Sequence, residues 1–253
     1  MPEQRAARLC VLIDADNVPA KYARAIFDEV AGLGEASVRR IYGDWSSVRL
    51  KGWAEKVAEL GMVADQQFAN TIGKNASDIG LVIAAMDFLH TGLFDGFVLV
   101  SSDSDFTRLA ARIREQGIDV YGIGEKKTPD AFRRACKRFI FVENLGSGSE
   151  PRDSDAAPEK PARKPAANKD QPAAPKRLEP KDAIPLIVAA MRAIGGEDEW
   201  YTLGQLGQHI VQANPDFDTR SYGSAKLSDL LKKTKRFEVR NDGGNHLSVR
   251  DLA

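Results

Sequence analysis

The sequence has little cysteine and no excess of charge of either sign. Its two cysteines, Cys10 and Cys136, have neither the spacing of a metal site nor the number that a disulfide framework needs. The 36 basic and 36 acidic residues cancel, so a nucleic-acid surface has to come from local clusters of charge. No apolar run is long enough to span a membrane, and the N-terminal residues lack the apolar core of a signal peptide. We therefore predict a cytoplasmic protein that does not bind membranes.

Two nucleotide-binding motifs are missing as well. The first turn, DADN at residues 14–17, contains neither G-x-G-x-x-G nor G-x-x-x-x-G-K-[ST], so we expect neither a dinucleotide nor a P-loop triphosphate there. The order Asp14-Ala15-Asp16 is similar to the start of haloacid dehalogenase-type phosphatases, although no convincing lysine motif follows it. A phosphatase remains an alternative interpretation.

Short apolar runs alternate with segments of helical periodicity throughout residues 1–145. This alternation is typical of right-handed βαβ units, which build a parallel sheet with helices on both faces. We predict an α/β domain with a doubly wound, mainly parallel sheet. The predicted strands are 9–13, 38–42, 62–68, 97–100, 118–123 and 139–142.

The composition changes after Leu145. Residues 146–180 are rich in Pro, Ala and charged residues, which is typical of a flexible, semi-extended linker. Residues 181–253 show three helical patterns and then two strands around the turn NDGG, which predicts a small winged helix-turn-helix domain. Such a linker would raise the local concentration of the 1–145 domain near a ligand of the second domain without fixing their geometry.

Four aspartates occupy positions that the predicted sheet brings together. Asp14 ends the first strand, Asp103 and Asp105 follow the fourth, and Asp78 begins the helix that leads into the fourth. Ligands bind where the strand order of such a sheet reverses, which is between the first and fourth strands. Crowded carboxylates repel one another unless a hard cation such as Mg²⁺ or Mn²⁺ binds between them. We predict Asp14, Asp78 and Asp103 as metal ligands and all four aspartates as catalytic residues.

An alternative role exists for these acids. Aspartate at a helix N-terminus is a common cap, which is the simpler interpretation of Asp78 and Asp103 taken singly. Asp105 lies one step inside the helix, where it would support the ligands rather than bind metal. A cation held by the whole set would activate water and stabilise charge on a leaving phosphate oxygen. The set therefore predicts phosphodiester hydrolysis.

Polar and basic residues near the acidic turns, and at one helix end of the small domain, are candidates for binding nucleic acid. Four lie in turns or loops on the predicted active face, where they would contact phosphates, and two lie at the end of the third helix of the small domain. The aromatic side chains of Tyr42 and Trp45 are candidates for base stacking, whereas Trp53 follows helical spacing and is expected in the core. The predicted substrate-binding residues are Asn17, Lys74, Lys126, Lys127, Lys232 and Lys233.

Several stretches in the first domain carry a family resemblance. They are VLIDADNV, YGDW, KNASDIGLVIAAMD, VLVSSDSDFTRLA and GEKKTPDAFRRACKRFIFVENL. Together they resemble the NYN domain of the LabA-like group, within the PIN-like nuclease superfamily of known or predicted metal-dependent ribonucleases. The resemblance implies that Asp14, Asp78 and Asp103 bind metal, with Asp105 a fourth acid and Asn17 a polar companion.

The second domain resembles a different family. The stretch WYTLGQLGQHIVQANPDFDTRSYGSAKLSDLLKKTKRFEVR is similar to the OST-HTH or LOTUS domain, a winged-helix module associated with RNA binding and, in some animals, with helicase partners. The resemblance implies RNA, single-stranded or structured, as the ligand, with a protein partner as the alternative. We expect a metal-dependent endoribonuclease with an appended RNA-binding domain. The competing interpretation is a non-catalytic RNA-binding or scaffold protein that retains a PIN-like pocket.

Overall fold

Six parallel strands form the centre of the N-terminal domain. The computed structural model describes residues 5–66, 76–147, 178–195, 200–241 and 247–253. The sheet has the order β3-β2-β1-β4-β5-β6, and all five pairings are parallel. This confirms the predicted doubly wound α/β fold. The strands are β1 (Arg8–Asp14), β2 (Glu35–Gly43), β3 (Val63–Gln66), β4 (Gly96–Val100), β5 (Asp119–Gly124) and β6 (Arg138–Phe141).

Helices cover both faces of this sheet. On one face lie α1 (Ala23–Ala31) and α2 (Lys51–Glu59), which pack into one buried apolar cluster. On the other face lie α3 (Ala76–His90), α4 (Thr107–Glu115) and α5 (Asp130–Ala135), which pack into a second. The central strands serve both clusters because successive side chains of a strand point to opposite faces. In β4, for example, Phe97 and Leu99 belong to the second cluster, and Val98 and Val100 to the first.

The strand order reverses between β1 and β4, which pair directly, with Ile13 opposite Val100. The chains that leave these two strands turn away to helices on opposite faces, so a crevice opens at their carboxyl ends. Asp14 is the last residue of β1, and the polar turn at 101–103 follows β4. The topology therefore places the two acidic turns side by side.

The C-terminal domain has three helices and a small antiparallel sheet of order β7-β9-β8, as expected for a winged helix. Most of the predicted hairpin turn lies outside the described residues. No helix in the described ranges is long and apolar enough to cross a bilayer. The elements are α6 (Ile184–Ile194), β7 (Tyr201–Thr202), α7 (Leu203–Ala213), α8 (Leu227–Thr234), β8 (Phe237–Asn241) and β9 (Leu247–Asp251).

The two domains are in direct contact. The N–H of Phe139, on the edge strand β6, donates to the carbonyl oxygen of Pro215 at 2.8 Å. Across the same boundary Arg220 donates to the Glu29 carboxylate on α1 at 2.9 Å. These contacts join the two domains in the structure, whereas the flexibility predicted for the linker stays a prediction. The predicted linker lies largely outside the described residues, and the predicted domain boundaries at 145 and 181 stay predictions.

Candidate active site

Three carboxylates converge at the crevice between β1 and β4. Asp78 lies in the first turn of α3. Between β4 and α4, Asp103 is the N-cap of the short 3-10 helix Ser104–Phe106, and Asp105 lies within that helix. The oxygens that the three residues offer lie within 4.8 Å of one another. Asp78 is buried, Asp103 is half-buried and Asp105 is exposed, so the cluster has a closed side and an open side.

Asp14 lies deeper than this cluster and is 1% exposed. Its Oδ1 accepts from the N–H of Asp16 at 3.2 Å. Its Oδ2 accepts from Asn17 Nδ2 at 2.6 Å and from the Ser101 hydroxyl at 2.8 Å. Both oxygens of Asp14 are therefore held by the protein itself, and Asp14 is not one of the three residues whose oxygens converge.

Ser101 connects the two acidic turns, although the sequence analysis did not select it. Its hydroxyl donates to Asp14 and accepts from the N–H of Asp103 at 3.1 Å. A signal was present in the sequence, since Ser101 is the first polar residue after an apolar strand that ends at an acidic turn. The hydroxyl fixes the position of Asp103 relative to Asp14.

Glycine at position 124 allows the close approach of β5 to this turn. A Cβ atom at Gly124 would lie 2.4 Å from the Ser101 carbonyl oxygen and 2.9 Å from the Thr128 hydroxyl. Separations this short cannot be accommodated without a backbone shift. The N–H of Glu125, the next residue, donates to Ser102 Oγ at 2.8 Å, so the loop after β5 is bonded to the acidic turn.

The electrostatics of the cluster are unfavourable without a cation. Burial first, and then the negative charges of Asp14, Asp103 and Asp105, together raise the pKa of Asp78 to about 7. Burial also raises the pKa of Asp14, against the hydrogen bonds from Asn17 and Ser101, which lower it. Like charges this close disfavour one another's ionised form. Repulsion among these carboxylates therefore destabilises the folded chain, and a bound cation would reduce that repulsion.

The capping interpretation of these acids holds in part. Asp103 Oδ1 accepts from the N–H of Asp105 at 2.9 Å and so caps the short 3-10 helix Ser104–Phe106. A cap requires one carboxylate at one helix start. It does not account for three carboxylates from two elements that converge within a few ångströms. Carboxylate oxygens alone are the donor set of hard divalent cations, so the cluster fits Mg²⁺ or Mn²⁺.

A cavity of about 250 Å³, which we call the turn cavity, lies beside the acidic turn at residues 14–17. Its walls carry two acids, Asp16 and Glu125, and two cations, Arg49 and Lys127. The Lys127 ammonium is paired with the Glu125 carboxylate at 2.5 Å. Lys127 was predicted from its loop, whereas Arg49, which precedes α2, was not selected from the sequence. Cations in such a cavity are suited to contact the phosphates of a bound strand.

Comparisons with known families decide what kind of domain this is. Residues 8–143, more than half of the chain, match the family described as NYN domain. The chain belongs to the NYN domain family. Residues 177–249 match the OST-HTH/LOTUS domain, so the two families occur in the order that the sequence predicted. NYN domains are PIN-like nucleases, which typically use divalent metals, and OST-HTH/LOTUS domains bind RNA.

Two solved structures resemble parts of the chain. One is a protein of unknown function from Vibrio parahaemolyticus, with 18% identity and a TM-score of 0.48 over 57% of this chain and 98% of that one. The other is an uncharacterized protein from Nitrosomonas europaea, with 27% identity and a TM-score of 0.25 over 38% of this chain and 92% of that one. No curated protein gives a significant match.

The remaining predicted substrate residues are dispersed over the molecule. Lys126 lines a cavity between the NYN and OST-HTH domains, away from Lys127. Lys74 lies outside the described residues. Lys232 and Lys233 are exposed on α8 of the OST-HTH domain, where the Lys233 ammonium donates to the Gly223 carbonyl oxygen at 2.5 Å. Neither of these two α8 residues lines the cavities beside the NYN active edge.

Two of the three aromatic residues considered for stacking or packing are buried in the core. Tyr42 is 2% exposed and Trp53 is 1% exposed. Trp53 donates its indole N–H to the Val18 carbonyl oxygen at 2.8 Å, in keeping with the core position predicted for it. Trp45 is half-buried, and its indole N–H donates to the Asp65 carbonyl oxygen. The expectation that Tyr42 stacks on RNA is wrong because its ring is enclosed by the core.

Proposed function

We propose that the NYN domain is an Mg²⁺- or Mn²⁺-dependent endoribonuclease whose substrate is bound with the help of the OST-HTH domain. The observation that carries the proposal is the convergence of Asp78, Asp103 and Asp105 at the carboxyl edge of the sheet. The family relationship of both domains supports the same function. Hydrolysis of a phosphodiester bond is the reaction that these groups serve.

The three converging aspartates would hold the metal. A divalent ion bound there supplies positive charge for water activation and for the leaving phosphate oxygen. Asp14, with Ser101 and Asn17, positions the turn that carries Asp103, because Ser101 bonds to both aspartates. The hydrogen bonds among Asp14, Asn17, Ser101 and Asp103 hold the acidic turn in one geometry before substrate binds. A site that is already positioned loses less conformational entropy when the substrate binds.

Arg49 would bind the RNA backbone next to the scissile bond, and Lys127 would do so by exchanging its pairing with Glu125 for a phosphate. Both line the turn cavity that adjoins Asp16 and Asn17. Contacts of this kind are independent of base identity and weaken as salt increases. They orient the RNA strand, whereas the acidic cluster determines where it is cut.

Cleavage of single-stranded RNA by the purified chain tests the proposal. We expect cleavage with Mg²⁺ or Mn²⁺, none in EDTA, and a loss of about 100-fold or more in Asp103→Asn, since one ligand charge is removed. Asp87→Asn is the matched control, because Asp87 is an exposed acid on α3 outside the cluster. It should cleave at the rate of the wild type.

Other outcomes would redirect the assignment. Equal cleavage by wild type and Asp103→Asn would remove the assigned active site. RNA binding without cleavage in any divalent metal would favour a non-catalytic RNA-binding protein that retains the pocket. Release of inorganic phosphate from a small phosphomonoester, without cutting of RNA, would favour the phosphatase alternative.

A further inference from the structure

A cavity of about 390 Å³ lies at the junction of the two domains. The NYN domain contributes the loop after β5, the helix α5 and Phe141 at the end of β6, and the OST-HTH domain contributes α6 and residues 214–222. This volume is within the range of about 300–1,000 Å³ found for small-ligand sites. Neither domain alone forms the cavity.

The walls of this junction cavity combine aromatic rings with cations. Phe217 and Tyr222 lie with their ring centroids 5.7 Å apart on the OST-HTH side, and Phe141 lines the NYN side. The three residues are 9%, 8% and 7% exposed, so only a small part of each reaches the cavity. Lys126 and Arg134 line the NYN wall, and neither side chain forms an ion pair with any of the described residues. Apolar rings beside uncompensated cations suit a ligand with one flat apolar part and one anionic part.

A third cation at the junction has a different role. The Arg133 guanidinium is paired with Asp130 on its own helix and with Asp216 of the OST-HTH domain. The charge of Arg133 is therefore neutralised by carboxylates of both domains. Only Lys126 and Arg134 among the cavity's cations have charge available for a ligand.

The loop that follows β5 connects the junction cavity with the acidic turns. It lies between the junction cavity and the turn cavity, since Glu125 and Lys127 line the turn cavity whereas Lys126 lines the junction cavity. The same loop is bonded to the acidic turn through Glu125 N–H and Ser102 Oγ. A strand that crosses this loop would contact both cavities.

We propose that the junction cavity binds one nucleotide of the RNA substrate, with its phosphate at Lys126 and Arg134 and its base against Phe217 and Tyr222. The proposal rests on the proposed function in taking RNA as the substrate. The proposal also explains the contact between the domains. The docked OST-HTH domain completes a nucleotide site, and the loop after β5 links that site to the acidic turn. Binding of RNA then positions the scissile bond as well as tethering the strand.

The test measures RNA binding in EDTA, so that it does not depend on cleavage. Fluorescence polarisation of labelled oligouridylate with the full chain compares wild type with the double variant Lys126→Ala, Arg134→Ala. We expect affinity to fall about tenfold, and the slope of log affinity against log salt to drop by about 0.7, since the two cations hold one phosphate and each phosphate contact to a single strand contributes about 0.7. Arg112→Ala is the matched control, an exposed arginine paired with Glu115 on its own helix, and should bind as wild type does.

Unchanged affinity and salt slope in the double variant would overturn the proposal. Uridine 5′-monophosphate is the second probe, and it distinguishes RNA from a free nucleotide. Mononucleotide binding that requires Lys126 and Arg134, with RNA affinity unaffected by the same substitutions, would overturn RNA as the occupant. The cleavage assay of Asp103→Asn tests the active site separately. RNA binding is measured in EDTA, without metal, so a failure of the proposed metal site would not change the binding result.

Discussion

Replacing Asp78 by Asn measures how much the acidic cluster strains the folded NYN domain. The pKa of Asp78 rises from its ordinary value of 3.8 to about 7. Each pKa unit corresponds to about 1.4 kcal/mol, so the shift amounts to about 4 kcal/mol between the neutral and ionised forms. Burial is its first cause, and the neighbouring carboxylates are the second.

The sign of the effect follows from which state binds the proton more tightly. Since the pKa is raised in the folded state, the folded domain keeps this proton to a higher pH than the unfolded chain does. The free energy of unfolding is therefore unaffected below about pH 4 and falls as the pH rises to about 7. Asn resembles the neutral acid at every pH. We expect Asp78→Asn to match the wild type near pH 4 and to be more stable by up to about 4 kcal/mol above pH 7.

Urea unfolding in EDTA at about pH 5 and about pH 8 checks this expectation. The advantage of Asp78→Asn should grow by about 2–3 kcal/mol between these two pH values. Added Mg²⁺ should stabilise the wild type and have little effect on the variant, since a ligand stabilises only the state that binds it. A stability difference that does not change with pH, or an equal one in Asp87→Asn, would refute the proposed strain.

Two further substitutions test the support of the site and the contact between domains. Gly124→Ala should destabilise the NYN domain by about 1–3 kcal/mol and slow cleavage, because its Cβ would meet the Ser101 carbonyl oxygen. Thermal unfolding would show this against Gly204→Ala, which meets nothing within 4 Å. Glu29→Ala should weaken docking of the OST-HTH domain by about 2–3 kcal/mol, since it removes one of the two carboxylate partners of the partly buried Arg220. A radius of gyration no larger than that of Asp28→Ala, its exposed neighbour, would contradict this.

The fold was predictable because the NYN sheet is encoded locally. Each strand is a short apolar run that ends at a polar turn, and each helix has its own apolar stripe. The order of β1 and β4 followed from the rule that crossovers are right-handed and that order reverses at one point. This rule was sufficient to bring Asp14, Asp78 and Asp103 to one edge of the sheet.

The exact composition of the acidic cluster was not predictable. A pattern of residues places an aspartate at a strand end but does not say where its two oxygens point. In the structure Asp14 is bound on both oxygens by its neighbours, whereas Asp105, expected behind the ligands, converges with Asp78 and Asp103. The difference depends on Ser101, whose hydroxyl direction no sequence pattern encodes.

The contact between the domains was least predictable because its partners are far apart in sequence. Glu29 and Arg220 are 191 residues apart, and each alone is an ordinary surface charge. Only tertiary structure shows that Arg220 is held by Asp218 and Glu29 together, and that these hydrogen bonds and charges raise its pKa. An arginine bonded to carboxylates of both domains costs free energy if either partner is lost. The same contact joins the two domains whose residues line the junction cavity, so that cavity could not have been predicted from either domain's sequence alone.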